Sequence, residues 1–156
     1  MLKIHIITVG RDKDSWVNDA IDHYSKLIKK YARLEFSIIA EDKYNSSTDI
    51  LKAKIREGER IISRLKNGFI IVLDLKGQVL NTMELAEKIS QWQNQSISTL
   101  EFIIGGPFGL SDDILRKADY ILNMSSLTMS HQIIRLVLLE QLYRVLNINA
   151  GGSYHK

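Results

Sequence analysis

Five short runs of β-branched and large apolar residues punctuate the chain at Lys3 to Val9, Leu34 to Ala40, Phe69 to Leu73, Leu100 to Ile104 and Tyr120 to Leu122. Each is separated from the next by a segment with helical spacing, and that alternation predicts a largely parallel sheet. The expected fold is therefore α/β, a mostly parallel sheet with helices on both faces. At 156 residues it amounts to one domain, residues 1–156, large enough to bury a real core.

The helical segments differ in what they do. Val17, Ala20, Ile21, Tyr24, Leu27, Ile28 and Tyr31 step by three and four along one stripe, with charged residues opposite, which predicts a first helix with one core face. A second segment, about Ser47 to Lys66, carries Leu51, Ile55, Ile62 and Leu65 within a mixed-charge run and reads as a helix with a solvated outer face. A third runs from about Thr82 to Trp92, with capping-box spacing between Asn81 and Glu84. The last, Ser130 to about Leu146, is apolar on two sides, with Ile133, Ile134, Val137 and Leu138 on one and Leu136, Leu139, Leu142 and Leu146 on the other. Such a helix is either buried wholly within one subunit or covered by a second copy of the protein, and a two-fold homodimer is the expected arrangement.

Composition removes several chemistries. The chain has no cysteine, which excludes disulfides, thiolate catalysis and cysteine-ligated zinc, and His5, His23, His131 and His155 lack paired ligand spacing, so no metal is expected. No apolar run approaches the ~20 residues that cross a bilayer, and the first ten residues do not resemble a signal peptide, so no membrane partner and a cytoplasmic location are expected. A net charge of +3 permits an anionic partner such as RNA without requiring one.

Three loops fall at the C-terminal ends of predicted strands, the edge where open parallel sheets bind ligands. They are Asp74 to Gly77, Gly105 to Gly109 and Asn123 to Met129. The glycines of the second are followed by no Walker A lysine, and their spacing is not G-x-G-x-x-G. A nicotinamide-type oxidoreductase would need a glycine fingerprint after the first strand, where only Gly10 stands. Glycine amides, the hydroxyls of Ser125, Ser126 and Thr128, and apolar Leu73, Leu127 and Met129 remain, suited to a small ligand with an aromatic ring and polar atoms.

Taken in order, these motifs carry a family resemblance. Val72-Leu73-Asp74-Leu75-x-Gly77, Phe102-Ile103-Ile104-Gly105-Gly106-Pro107-x-Gly109-Leu110, Met124-Ser125-Ser126-Leu127-Thr128-Met129-x-His131-Gln132-x-x-Arg135 and the terminal Tyr154-His155-Lys156 resemble the ribosomal large subunit methyltransferase H family, within the knotted SPOUT methyltransferases. The resemblance spans the chain and implies a homodimer whose C-terminal part is threaded into a deep trefoil knot. It implies S-adenosylmethionine as cofactor, held by Leu73, Gly105, Met124, Ser125, Ser126, Leu127, Thr128 and Met129. The implied substrate is a pseudouridine of 23S rRNA, the position usually numbered 1915 in helix 69, methylated at N3 on assembled ribosomes. Two positions depart from the common pattern: Ser130 stands where a proline often precedes the histidine, and Phe108 where a polar or acidic residue is frequent. Ser130 then reads as a helix N-cap.

An imide N3 becomes a good nucleophile only after losing its proton, so the implied reaction calls for a general base, and neutral histidine suits the task. His155 in the tail is the first candidate. His131 is the second, placed at a helix start where positive charge is disfavoured. Arg135, Arg144 and Lys156 offer charge for phosphates and Tyr143 and Tyr154 offer rings for a displaced base, with pairing of the arginines to carboxylates across the dimer as the alternative. Asn147 to Gly152 reads as a flexible hinge before the tail, residues 147–156. The competing reading is a catalytically idle protein of the same fold that binds RNA or the ribosome.

Overall fold

The structure is a computed structural model that describes residues 1–154. Five parallel strands, β1 (Leu2–Val9), β2 (Ala32–Ile39), β3 (Phe69–Val79), β4 (Thr99–Ile104) and β5 (Tyr120–Asn123), lie in the order β2-β1-β4-β3-β5. The helices α1 (Ser15–Ile28), α2 (Ser47–Ile62), α3 (Thr82–Asn94), α4 (Asp112–Lys117) and α5 (His131–Asn149) connect them and close the chain. Both faces of the sheet are covered. The period of two along each strand sends Ile4 and Ile6 of β1, Ile71 of β3, and Leu100 and Phe102 of β4 into one core with α1, α3 and α5, while Ile7, Val9, Val72 and Ile103 enter a second core with Ile61 of α2 and Ile114 of α4.

Local signals set the helix ends. Asn81 and Glu84 form the expected capping box at α3, and the Ser130 hydroxyl accepts from the Ile133 N–H at the start of α5. Of the α1 stripe, Val17 and Ile28 are buried, whereas Ile21, Tyr24 and Leu27 are only half-covered. The two-sided apolar pattern of α5 has the same outcome: Leu138, Leu139, Leu142, Val145 and Leu146 are buried, while Ile133 is 38% exposed and Leu136 and Val137 are half-exposed.

Two stretches differ from the sequence expectation. β3 continues past Leu73 to Val79, pairing with β5 twice, first through Ile71 to Leu73 and again through Gln78 and Val79, with Asp74 to Gly77 bulging between the two registers. Only a glycine fits position 77, because a Cβ there would lie 2.7 Å from the backbone of Ile121 and Leu122. The second is the stretch expected to be a hinge. Asn147 to Asn149 complete α5, and the Gly152 N–H then donates to the Asn147 carbonyl, so the segment takes up a hydrogen-bonded C-terminal turn.

Candidate functional site

The C-terminal ends of β3, β4 and β5 open into a cleft of roughly 820 Å³, walled by the β3 bulge, the Gly105 to Leu110 turn and the Asn123 to His131 loop. That is the edge at which a parallel sheet leaves strand-end amides and loop side chains free to meet a ligand. Each wall is held in shape by short-range bonds. In the glycine turn, Gly109 N–H donates to the Gly106 carbonyl over 3.0 Å and Gly109 has φ +80, so Pro107 and Phe108 form the corner. In the β3 bulge, Lys76 N–H donates to Asp74 Oδ1 at 2.8 Å.

Asn123 ties two walls together, a role that its place at a strand end did not announce. Its Nδ2 donates to the Leu75 carbonyl at 3.2 Å, and its Oδ1 accepts from Ser125 N–H at 2.9 Å, an Asx turn. The Ser125 hydroxyl in turn accepts from Leu127 N–H at 2.9 Å. Glu57 of α2 was also missed, hidden in a mixed-charge run. It is buried behind the glycine turn, its Oε2 3.8 Å from where a Gly106 Cβ would stand, and burial pushes its carboxyl above the ordinary range despite the Asp42 N–H donated to it.

Leu73, Gly105, Met124, Ser125, Leu127, Thr128 and Met129 all line the cleft. Ser126 is exposed on the same loop and is not among the lining residues. His131, first residue of α5, stands at the cleft margin, its Nε2 3.9 Å from a notional Gly10 Cβ that would also lie 3.3 Å from Glu41 Oε2.

The remaining predicted residues lie elsewhere. Arg135, one turn along α5 from His131, does not reach outward toward phosphate. It is 3% exposed, ion-paired with the equally buried Asp12 side chain, and 3.3 Å from the Gly10 carbonyl that accepts from it. Burial lowers the pKa of its guanidinium and Asp12 opposes that shift. Tyr154 packs on α5, its ring edge-on to Tyr143 with centroids 4.6 Å apart and Arg144 over its face. Tyr154 N–H donates to Asn147 Oδ1 at 2.9 Å, and Arg144 also pairs with Glu140 of its own helix. His155 lies outside the described residues.

The profile of the family described as Predicted SPOUT methyltransferase matches residues 2–155. The chain is 40% identical over 159 residues to the ribosomal RNA large subunit methyltransferase H of Bifidobacterium animalis subsp. lactis, covering 99% of this chain and 100% of that one. The chain belongs to the SPOUT methyltransferases, in the family of ribosomal RNA large subunit methyltransferase H. The protein of the same name from Alkaliphilus oremlandii is 42% identical over the same coverage. Among solved structures, the one described as Probable Methyltransferase from Bordetella pertussis Tohama I superposes with a TM-score of 0.55 at 11% identity, covering 93% of this chain and 96% of that one, a likeness of fold alone.

Proposed function

We propose that this SPOUT methyltransferase uses S-adenosylmethionine to methylate N3 of the helix 69 pseudouridine of 23S rRNA on assembled ribosomes. The observation that carries the reading is the convergence of three separately encoded walls, Leu73 to Lys76, Gly105 to Leu110 and Met124 to His131, on one cleft. Its volume falls within the range of small-molecule sites, and its apolar Leu73, Ile104 and Met124 alternate with backbone amides and the Thr128 hydroxyl. That donor set fits a molecule with a flat heterocycle and polar edges, and no Walker A lysine follows the glycines of its turn.

When bound, S-adenosylmethionine supplies an electrophilic methyl group on a sulfonium. The chain's own part is to orient and to take a proton. The stiff turn at Pro107, the Asn123 brace and the Asp74 to Gly77 bulge fix the walls, so that a nucleophile entering from the mouth meets a defined approach direction. His155 of the tail is proposed as the base that removes the N3 proton, with His131 at the cleft margin as second candidate. The α5 and α1 faces left half-covered support a homodimer, and the family's trefoil knot is part of the same proposal.

The test is incubation with labelled S-adenosylmethionine and ribosomes lacking the modification, followed by mass-spectrometric mapping. A methyl group on that pseudouridine N3 is the expected product. Calorimetric binding of S-adenosylmethionine with no transfer would instead favour an idle binder.

A further inference from the structure

Phe108 occupies a corner position of the glycine turn that Pro107 and the left-handed Gly109 already shape, so the turn itself asks for no phenyl ring there. The ring nevertheless lines the cleft and is 45% exposed. It meets Tyr44 edge-on, with centroids 4.6 Å apart and planes at 88°. Tyr44 comes from the β2–α2 connection, and that connection is fastened beside it: Asp42 is paired with both Arg56 and Arg60, and Asp42 N–H donates to Glu57 Oε1 at 2.9 Å. Two anchored turns thus hold two rings together at the mouth of the cleft, outside both buried cores. Lys43 next to Tyr44, and Lys76 on the facing wall, are exposed and carry no ion pair among the described residues.

We infer that the Tyr44–Phe108 pair is a stacking platform for an unpaired RNA base adjacent to the nucleotide that enters the cleft. An edge-on pair leaves a ring face open, and an open aromatic face beside uncompensated cations matches the two chemistries of single-stranded RNA, base planes and phosphates. The inference rests on the proposed reading that RNA is the substrate, and it gives the exposed corner of the Gly105 to Leu110 wall a contact with RNA.

The test compares Phe108→Ala, Phe108→Trp and Tyr44→Ala with the wild-type protein, using S-adenosylmethionine titrated by calorimetry and unmodified ribosomes as methyl acceptor. Phe108→Ala should raise KM for the acceptor about 5- to 150-fold, the span expected for losing one base–aromatic stack. Tyr44→Ala, whose ring belongs to the pair without being among the residues that line the cleft, should raise KM likewise with an S-adenosylmethionine Kd within about twofold of wild type, and Phe108→Trp should keep the wild-type KM. Stacking displaces no counterions, so the plots of log KM against log salt for wild type and Phe108→Ala should be parallel, whereas Lys76→Ala should flatten that slope. The platform is overturned if Phe108→Ala leaves KM unchanged while the wild type transfers methyl groups normally, or if in Tyr44→Ala cofactor affinity falls in step with KM. A wild-type protein that transfers no methyl to ribosomes overturns the substrate reading, and the platform with it.

Discussion

Glu101 and His5 are register partners across β4 and β1, and the buried Glu101 carboxylate lies 2.9 Å from His5 Nδ1. The same carboxylate accepts from Gly68 N–H at 2.7 Å and Lys66 N–H at 2.9 Å, while His5 Nε2 is 2.8 Å from Ser37 Oγ. One buried acid thereby joins β4, β1, β2 and the turn that starts β3, at the sheet edge away from the cleft. Removing the acid leaves the His5 ring and the Gly68 and Lys66 N–H groups without their partner, and a buried polar group so stranded costs about 1–3 kcal/mol. Glu101→Ala should lose stability on that scale in urea unfolding, with an S-adenosylmethionine Kd per folded molecule equal to wild type. Loss of cofactor affinity in the folded fraction would give Glu101 a role in the site.

Glu57 gives a pH dependence with a defined sign. Burial raises its folded pKa above the ordinary 4.5, so between those two values the folded chain binds more protons than the unfolded one. The stability it contributes is complete below about pH 4.5 and is lost as pH rises through the raised folded value. Glu57→Gln keeps the amide oxygen that accepts from Asp42 N–H and abolishes the titration. Its Tm, relative to wild type, should therefore rise between pH 4 and pH 7, as scanning calorimetry at both values would show. A Tm difference independent of pH would mean that Glu57 titrates alike in both states.

Position 77 tests the double pairing of β3 with β5. A methyl group on Gly77 would lie 2.7 Å from two backbone segments that belong to a strand, not to a pliable side chain. Overpacking of that kind costs about 1–3 kcal/mol or forces the bulge open. Gly77→Ala should lower stability by that amount and weaken S-adenosylmethionine binding, because the bulge is one wall of the cleft. Gly109→Ala is the contrasting case, since its neighbourhood is empty and only its φ of +80 opposes a side chain, a cost of about 1–2 kcal/mol.

What the sequence made legible was what short-range periodicity encodes. The cores of the strand runs, the Asn81–Glu84 box, the Ser130 cap and the loops Gly105 to Gly109 and Asn123 to Met129 depend on residues within a few positions of one another, and they appear where expected. What escaped were bonds between distant residues. Arg135 reads as a cation for phosphate or for a carboxylate across the dimer, but its partner Asp12 lies in the same chain, 123 positions away. Asn147 and Gly152 read as a loose hinge, although the Asn147 side chain is engaged by Tyr31 on one side and Tyr154 on the other. β3 looks finished at Leu73 because the strand that extends it, β5, comes about fifty residues later.

The Arg135–Asp12 pair separates a structural role from a role in binding RNA. Asp12 Oδ1 and Arg135 Nε are both buried without a partner, so the pair holds the β1–α1 turn against α5 while leaving polar atoms uncompensated. Arg135→Met should destabilise by about 3–5 kcal/mol by stranding the Asp12 charge, and Asp12→Asn added to it should recover most of that loss. If Arg135 acts through this pair alone, the double variant should also recover its KM for ribosomes. Recovered stability with a KM still raised would place Arg135 on the RNA.

The uncovered helix faces make the last prediction. Ile133 and Val137 are one turn apart on α5, Ile133 is 38% exposed and Val137 half-exposed, and on α1 Trp16 is 54% exposed. Large apolar side chains left exposed on two helices that pack on each other suit a self-complementary interface, in which each residue is covered by its symmetry mate. Light scattering at micromolar concentration should give twice the 17.9 kDa chain mass. Val137→Glu places a charge at the centre of that face and should shift the protein to the monomer mass while its far-ultraviolet circular dichroism stays unchanged. A wild-type mass equal to one chain would show instead that α5 remains half-covered in solution.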